Sequence, residues 1–250
     1  MASIKDAIEE CIMDRNAVFK YLIIAVPLYM TYNTSLNGIK EGSAILEKLS
    51  SLTSADPYWG SAAALILFGM ALITTHNVIN TNNHVLPTAN IFSFAFQTII
   101  GFISLIPAIV FYSLVPGILI ANLSKVVPEN IANPINFIIT AICQFCIFSA
   151  YIMYSKKYQF KDSLNFQLTF STIVETSISI LYCLILLFLV NMVTTGFVIY
   201  VFWIFKLLGT PLFTYILAFM TVLNTAIFAH CLAQVGYEKI IKEENKDRII

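Results

Sequence analysis

The sequence predicts an all-α integral membrane protein, a single domain over residues 1–250 with six transmembrane helices, and three observations predict it. Of its 250 residues 58% are hydrophobic and 11% charged, whereas soluble domains average about 45–50% apolar and about 25% charged. Several apolar runs reach the roughly 20 residues that cross a hydrocarbon core about 30 Å thick. The few lysines and arginines collect in alternate connecting segments, as topology requires. The net charge of zero argues for no nucleic-acid partner; the expected partner is the lipid bilayer, with protein partners or a second copy left open.

Residues 3–14 read as a short amphipathic helix, with Ser3 and Asp6 at capping-box spacing and Ile4, Ile8 and Ile12 on one stripe. Such a helix is expected on the membrane surface. The first span is placed at 18–36; it contains Pro27 and ends at Asn37-Gly38. No small-residue cleavage site follows it, so this span is expected to remain. Residues 39–57 are mixed and charged, a surface excursion. The second span, 58–79, begins among small residues that allow close packing.

Next comes the most densely polar uncharged stretch, from Leu72 to Gln97, with His76, His84, Asn77, Asn80, Asn82, Asn83 and Asn90. Residues 89–121 exceed one crossing at about 1.5 Å per residue. They are divided into an interfacial helix, 89–98, and a third span, 99–121, that Pro107 and Pro116 bend or end. A short loop covers 122–133. The fourth span is 134–154, a basic loop follows, and 160–170 forms a third interfacial helix. The fifth span is 172–193. Residues 196–208 are too short to cross and read as an aromatic half-helix or wide turn; 211–236 is the sixth span.

Six spans leave both termini on one side. Lys5, Arg15, Lys20, Lys156, Lys157, Lys161, Lys239, Lys242, Lys246 and Arg248 share that side, while Lys40, Lys48, Lys125 and Lys206 face the other. Ten against four places both termini in the cytoplasm of a plasma or inner membrane. The interfacial helices then lie on the cytoplasmic side, and the order interfacial helix, span, loop, span recurs three times, suggesting three hairpin units.

With these segments placed, the chain resembles an uncharacterised prokaryotic multi-pass membrane family, domain of unknown function 4013. The resemblance rests on the start (SIKDAIEECIMDRNAVFKYLI), on Leu86-Pro87 leading into a long apolar segment, and on the run from Phe160 through Asp162 and Leu164 to Phe166. The basic residues, tryptophan and acid that the family carries around the Leu-Pro step are replaced here by Asn77, Asn80, Thr88 and Asn90. The resemblance implies a six-helix membrane protein and no assigned chemistry.

The chain holds no H-E-x-x-H, G-x-S-x-G, phosphate-binding glycine loop or EF-hand. Cys143 and Cys146 lie mid-span without a second ligand pair, so neither a metal nor a cofactor is implied, and no catalytic residue is assigned. Ionisable groups at membrane depth are costly and therefore stand out. They are Glu175, with Ser171, Ser179 and Tyr182 on its helix face, and His76, His230 and Lys20; His84, Asn77 and Asn80 are the loop candidates. For Glu175 the expected partner is Lys20, then His76, then His230. The first reading is a non-enzymatic membrane protein acting in transport or as the membrane part of an assembly. The alternatives are an intramembrane enzyme or lipid-handling protein using Glu175 with His76 or His230, and a helical scaffold.

Overall fold

The computed structural model describes residues 3–37, 57–82, 84–87, 90–208 and 210–247. The surface excursion expected at 39–57 lies outside the described residues except for Pro57, which begins a helix. The described chain forms eight helices: α1 (Ile4–Met13), α2 (Ala17–Asn37), α3 (Pro57–Ile79), α4 (Ile91–Val126), α5 (Glu129–Lys157), α6 (Phe160–Ser163), α7 (Phe166–Ile204) and α8 (Pro211–Asp247). Five of them, α3, α4, α5, α7 and α8, are long and apolar enough to cross a membrane, and α2 carries a shorter apolar stretch, Ala17–Met30.

Helix α1 starts as its sequence requires: the Ser3 hydroxyl accepts from the Asp6 amide at 3.2 Å. Its buried face differs from the expected stripe. Ala7 and Cys11 are fully buried and Ile4 and Ile8 pack beside them, while Ile12 is exposed. The face is thus Ile4, Ala7, Ile8 and Cys11, the i, i+3, i+4, i+7 pattern of a helix packed on protein, and it rests on α8.

The centre of the bundle is α8. The share of each candidate span buried is 61% for α8 and 44% for α3, but 28% for α5, 17% for α4 and 6% for α7. Small residues on α8, among them Ala218, Ala226, Ala229, Ala233 and Gly236, let neighbours approach closely. A Cβ on Gly236 would sit 2.5 Å from Ile152 of α5. Helix α3 runs parallel to α8, Thr75 meeting Ala229 and Ile79 meeting Gly236. Helix α2 packs along it: Tyr29 stacks edge-on against Tyr215, and Tyr32 meets the Thr221 hydroxyl. Pro27 leaves the Ile23 carbonyl without its helical donor, and one residue earlier the Tyr215 hydroxyl donates to the Leu22 carbonyl at 2.7 Å.

On the other side of α8, α7 runs antiparallel to it, with Phe202 against Phe213 and Asn224 donating to Asn191 at 2.6 Å. Asn224 is buried, so this pair satisfies a polar group that would otherwise be orphaned between two apolar helices.

Three expected boundaries change. The interfacial helix at 89–98 and the span at 99–121 are one continuous helix, α4, because nothing near residues 98–99 breaks a helix and Pro107 and Pro116 are both accommodated inside it. The loop expected at 122–133 shrinks to Val127 and Pro128 between α4 and α5. The third interfacial segment, 160–170, is the four-residue α6 followed by the start of α7, and α7 continues through the expected half-helix to Ile204. The turn after it is closed by Lys206 at a φ of 55° and by the Leu207 amide donating to Phe202. Among the described residues, the 89–98 segment is therefore no separate helix ahead of its span, as the second of three hairpin units would have it.

Candidate functional site

The polar stretch centred on the end of α3 supplies side chains to three neighbours. Helix α3 stops in a Schellman-type cap: the Thr81 amide donates to Val78 and the Asn82 amide to Asn77, with Thr81 at a φ of 51°. A β-branched residue is rarely found there. The turn aims Asn77, Asn82, His84 and Leu86 back toward α1 and α8, while His76 and Asn80 face α5.

Toward α5, His76 Nδ1 lies 2.6 Å from the Ser155 carbonyl, which fixes Nδ1 as the donor. The Asn80 amide nitrogen, 3.2 Å from the same Nδ1, is therefore not its hydrogen-bond partner; it donates instead to the His76 and Lys156 carbonyls. The His76 ring stacks on Tyr158 with centroids 4.0 Å apart. Burial raises the Tyr158 phenol above its ordinary pKa, and its hydroxyl is buried without a partner.

Toward α1, the hub is Asp14, which the sequence analysis takes only as the last residue of the 3–14 helix. Its carboxylate is 1% exposed and lies 3.1 Å from Lys20 Nζ and 3.6 Å from His84 Nδ1; it also accepts from the Leu86 amide. Lys20 is itself nearly buried, so the pair is desolvated on both sides. Lys20, expected to serve Glu175, is thus engaged by Asp14. The Glu175 side chain lies outside the described residues; its backbone belongs to α7. The available signal was a carboxylate ahead of the first span and a lysine six residues later, a spacing across a helix junction rather than along one helix.

Toward α8, His230 is buried and its Nε2 lies 2.8 Å from a Glu10 carboxylate oxygen, while Nδ1 is buried without a partner. One turn later the Gln234 side-chain oxygen accepts from the Ser3 amide at 2.7 Å. Between these elements lies an open groove of about 590 Å³, to which α1 gives Ser3, Asp6 and Glu10, α8 gives His230, Gln234 and Tyr237, and the polar turn gives Asn77 and Asn82. The turn wall is braced internally, Asn82 donating to Asn77 and Asn77 to the Val85 carbonyl.

The structure therefore joins Lys20 with His84 through Asp14, and places Asn77 with His230 at the groove. His76 and Asn80 stand apart from both. Among the described residues no three His, Cys, Asp or Glu side chains could hold a metal ion. Among the described residues, fold and site define an all-helical arrangement with several membrane-length apolar helices and a set of bonded polar side chains around the end of α3. Comparison with protein-family models, with curated proteins and with solved structures finds no match.

Proposed function

We propose that this chain is a non-enzymatic, six-span integral membrane protein of the plasma or inner membrane, both termini cytoplasmic, that serves as the membrane part of a protein assembly. The observation that carries this reading is the length of its least buried helices. The apolar segments of α4, α5 and α7 run for 32, 28 and 29 residues, about 48, 42 and 44 Å at about 1.5 Å per residue, against a hydrocarbon core of about 30 Å. Fitting the α4 segment by tilt alone takes about 50°, beyond the usual range of 0–40°. Protein partners, or a second copy, would cover the excess.

Helix α2 supplies the sixth crossing, and the bond between Ser3 and Gln234 brings the first and last described helices to one end, as an even number of crossings requires. The charge asymmetry makes that end cytoplasmic. Membership of the domain-of-unknown-function family that the sequence resembles belongs to the same proposal and rests on the motifs quoted for it.

Transport draws less support, because a cavity of about 260 Å³ among α3, α4, α5 and α8 is lined by apolar residues and Tyr151. The enzyme or lipid-handling reading, which pairs Glu175 with His76 or His230, draws less as well, since His76 is engaged by the Ser155 carbonyl and His230 by Glu10. Extraction of native membrane patches followed by mass measurement tests the assembly: species well above the 28.0 kDa chain are expected, and a lone chain throughout overturns it. Cysteines placed at Lys157 and Lys125 should label from opposite sides of the membrane; labelling from the same side overturns the topology.

A further inference from the structure

We propose that the exposed stripe of α5 is where a second copy of this chain docks, with Gln144 of each copy bonded to Gln144 of the other near the middle of the membrane. This inference rests on the assembly reading and names its partner.

Helix α5 turns Ala132, Cys143, Cys146 and Ala150 inward, and all four are buried. Away from them, Asn130, Asn133, Phe137, Thr140 and Gln144 are all exposed. Their successive spacings of three, four, three and four residues are those that keep one stripe of a helix against a partner in a left-handed helix pair. Lipid tails offer the polar members of this stripe no hydrogen bond.

Gln144 is the costly member. At about 1.5 Å per residue it stands about 21 Å from Asn130 and about 20 Å from Lys157, the two ends of the apolar segment. Its short side chain reaches neither interface. Thr140, one turn away, is satisfied within its own helix, donating to the Asn136 carbonyl at 2.8 Å. Among the described residues, none bonds to the Gln144 amide, and an amide left unpaired in hydrocarbon is strongly unfavourable. Elsewhere in the bundle a second helix resolves the same difficulty, where Asn224 of α8 donates to Asn191 of α7 at 2.6 Å. No described helix covers Gln144, whose side chain stays exposed.

A carboxamide carries both donor and acceptor, so two identical ones satisfy each other, the Nε2–H of each donating to the Oε1 of its counterpart. Copies inserted with the same topology stand parallel in the membrane, and a two-fold axis along the membrane normal brings equal residues together at equal depth. Gln144 then faces Gln144, and Thr140 and Phe137 meet their own counterparts. An unrelated partner needs a matching polar group at the same depth; a second copy has one by construction. A polar residue at one position of such a seam also fixes its register. Docking covers part of a segment of which only 28% is buried within the chain.

The test keeps the full chain in native membranes. Asn133→Cys and Ile131→Cys place a thiol on the stripe and off it at nearly the same depth, both at exposed positions, and the five native thiols are buried and give no competing link. Mild oxidation should yield a disulfide-linked species of twice 28.0 kDa from Asn133→Cys and little from Ile131→Cys. Gln144→Leu should weaken dimerisation about tenfold, read by energy transfer between labelled copies as the protein-to-lipid ratio is varied, with an unchanged melting temperature. Gln144→Asn, which keeps the amide, should retain most of the association. Equal linking from the two cysteine positions, a readout that does not depend on the Gln144 variants folding, would overturn the proposal. So would dimerisation unchanged by Gln144→Leu. If native patches of the Gln144→Leu chain keep the parent's mass, the assembly reading stands and the partner and face named here are lost; if the parent chain is alone throughout, both fall.

Discussion

Replacing Asp14 by Asn isolates the charge at the α1–α2 junction. The parent carboxylate is 1% exposed and the Lys20 side chain 8% exposed, with 3.1 Å between charged atoms, so neither charge can turn to water without opening the junction. Removing one partner of a buried pair costs about 3–5 kcal/mol, chiefly because the other charge stays buried and uncompensated. The asparagine oxygen can still accept from the Leu86 amide, so the loss should fall near the lower limit, about 3 kcal/mol. Lys20→Met should cost a similar amount. The double variant removes both charges and should lie within about 1 kcal/mol of the parent, because it leaves no uncompensated buried charge and keeps the acceptor for the Leu86 amide. The coupling in this cycle is then several kcal/mol, far above the roughly 0.5 kcal/mol by which independent sites depart from additivity. Reversible unfolding in mixed micelles measures all four proteins, and amide exchange at Leu86 reports whether the turn opens with the junction. A cost below about 0.5 kcal/mol for Asp14→Asn, or simple additivity in the double variant, would refute the argument.

Three further outcomes are expected. Gly69→Ala places a methyl group against the Thr98 side chain, whose hydroxyl is held by the Phe94 carbonyl at 2.7 Å; the overpacking should lower stability by about 1–3 kcal/mol in the same unfolding assay. Tyr158→Phe removes a buried hydroxyl that has no partner and keeps the ring stacked on His76, so it should raise stability by about 1 kcal/mol. Burial pushes the Cys11 thiol up to about 12, whereas an unfolded chain releases that proton near about 8.5. Above that pH the unfolded state binds fewer protons and stability falls as pH rises. In a version keeping only Cys11, maleimide should react slowly at pH 8 until the protein unfolds; reaction at the rate of a free thiol would contradict the burial.

What could be read from the sequence was local, and what could not was long-range. Ser3 announced the start of α1, and Ile4 and Ile8 its buried face. Ile12 misled because the same period serves a helix lying on lipid and one docked on protein, and only α8 decides between them. The cut at residues 98–99 came from bilayer thickness, a property of the solvent; the chain there holds no breaker, so α4 runs through. Prolines 107 and 116 were weighed as stops, yet each interrupts one backbone bond that a long apolar helix can forgo. At the site, Lys20 and His84 were singled out separately. Their common partner, Asp14, was hidden because a carboxylate at a helix end has an ordinary local explanation. The bond from His230 to Glu10 spans 220 residues, and no periodicity carries information over that distance.

The place of α8 in the chain bears on assembly. It is synthesised after α2 and the four other membrane-length helices, which lean on one another or on it, and it is the most buried of the membrane-length helices. Until it arrives, α2 and α3 lack the surface that Tyr215, Ala229 and Gly236 provide, and α1 lacks the anchors offered by His230 and Gln234. Helices inserted singly can wait in lipid before they associate, so the earlier spans must persist as loosely associated rods while the ribosome completes the chain. A nascent chain stopped before Pro211 should therefore be inserted yet open to quality-control proteases, and protection should come abruptly, with the helix that closes the bundle.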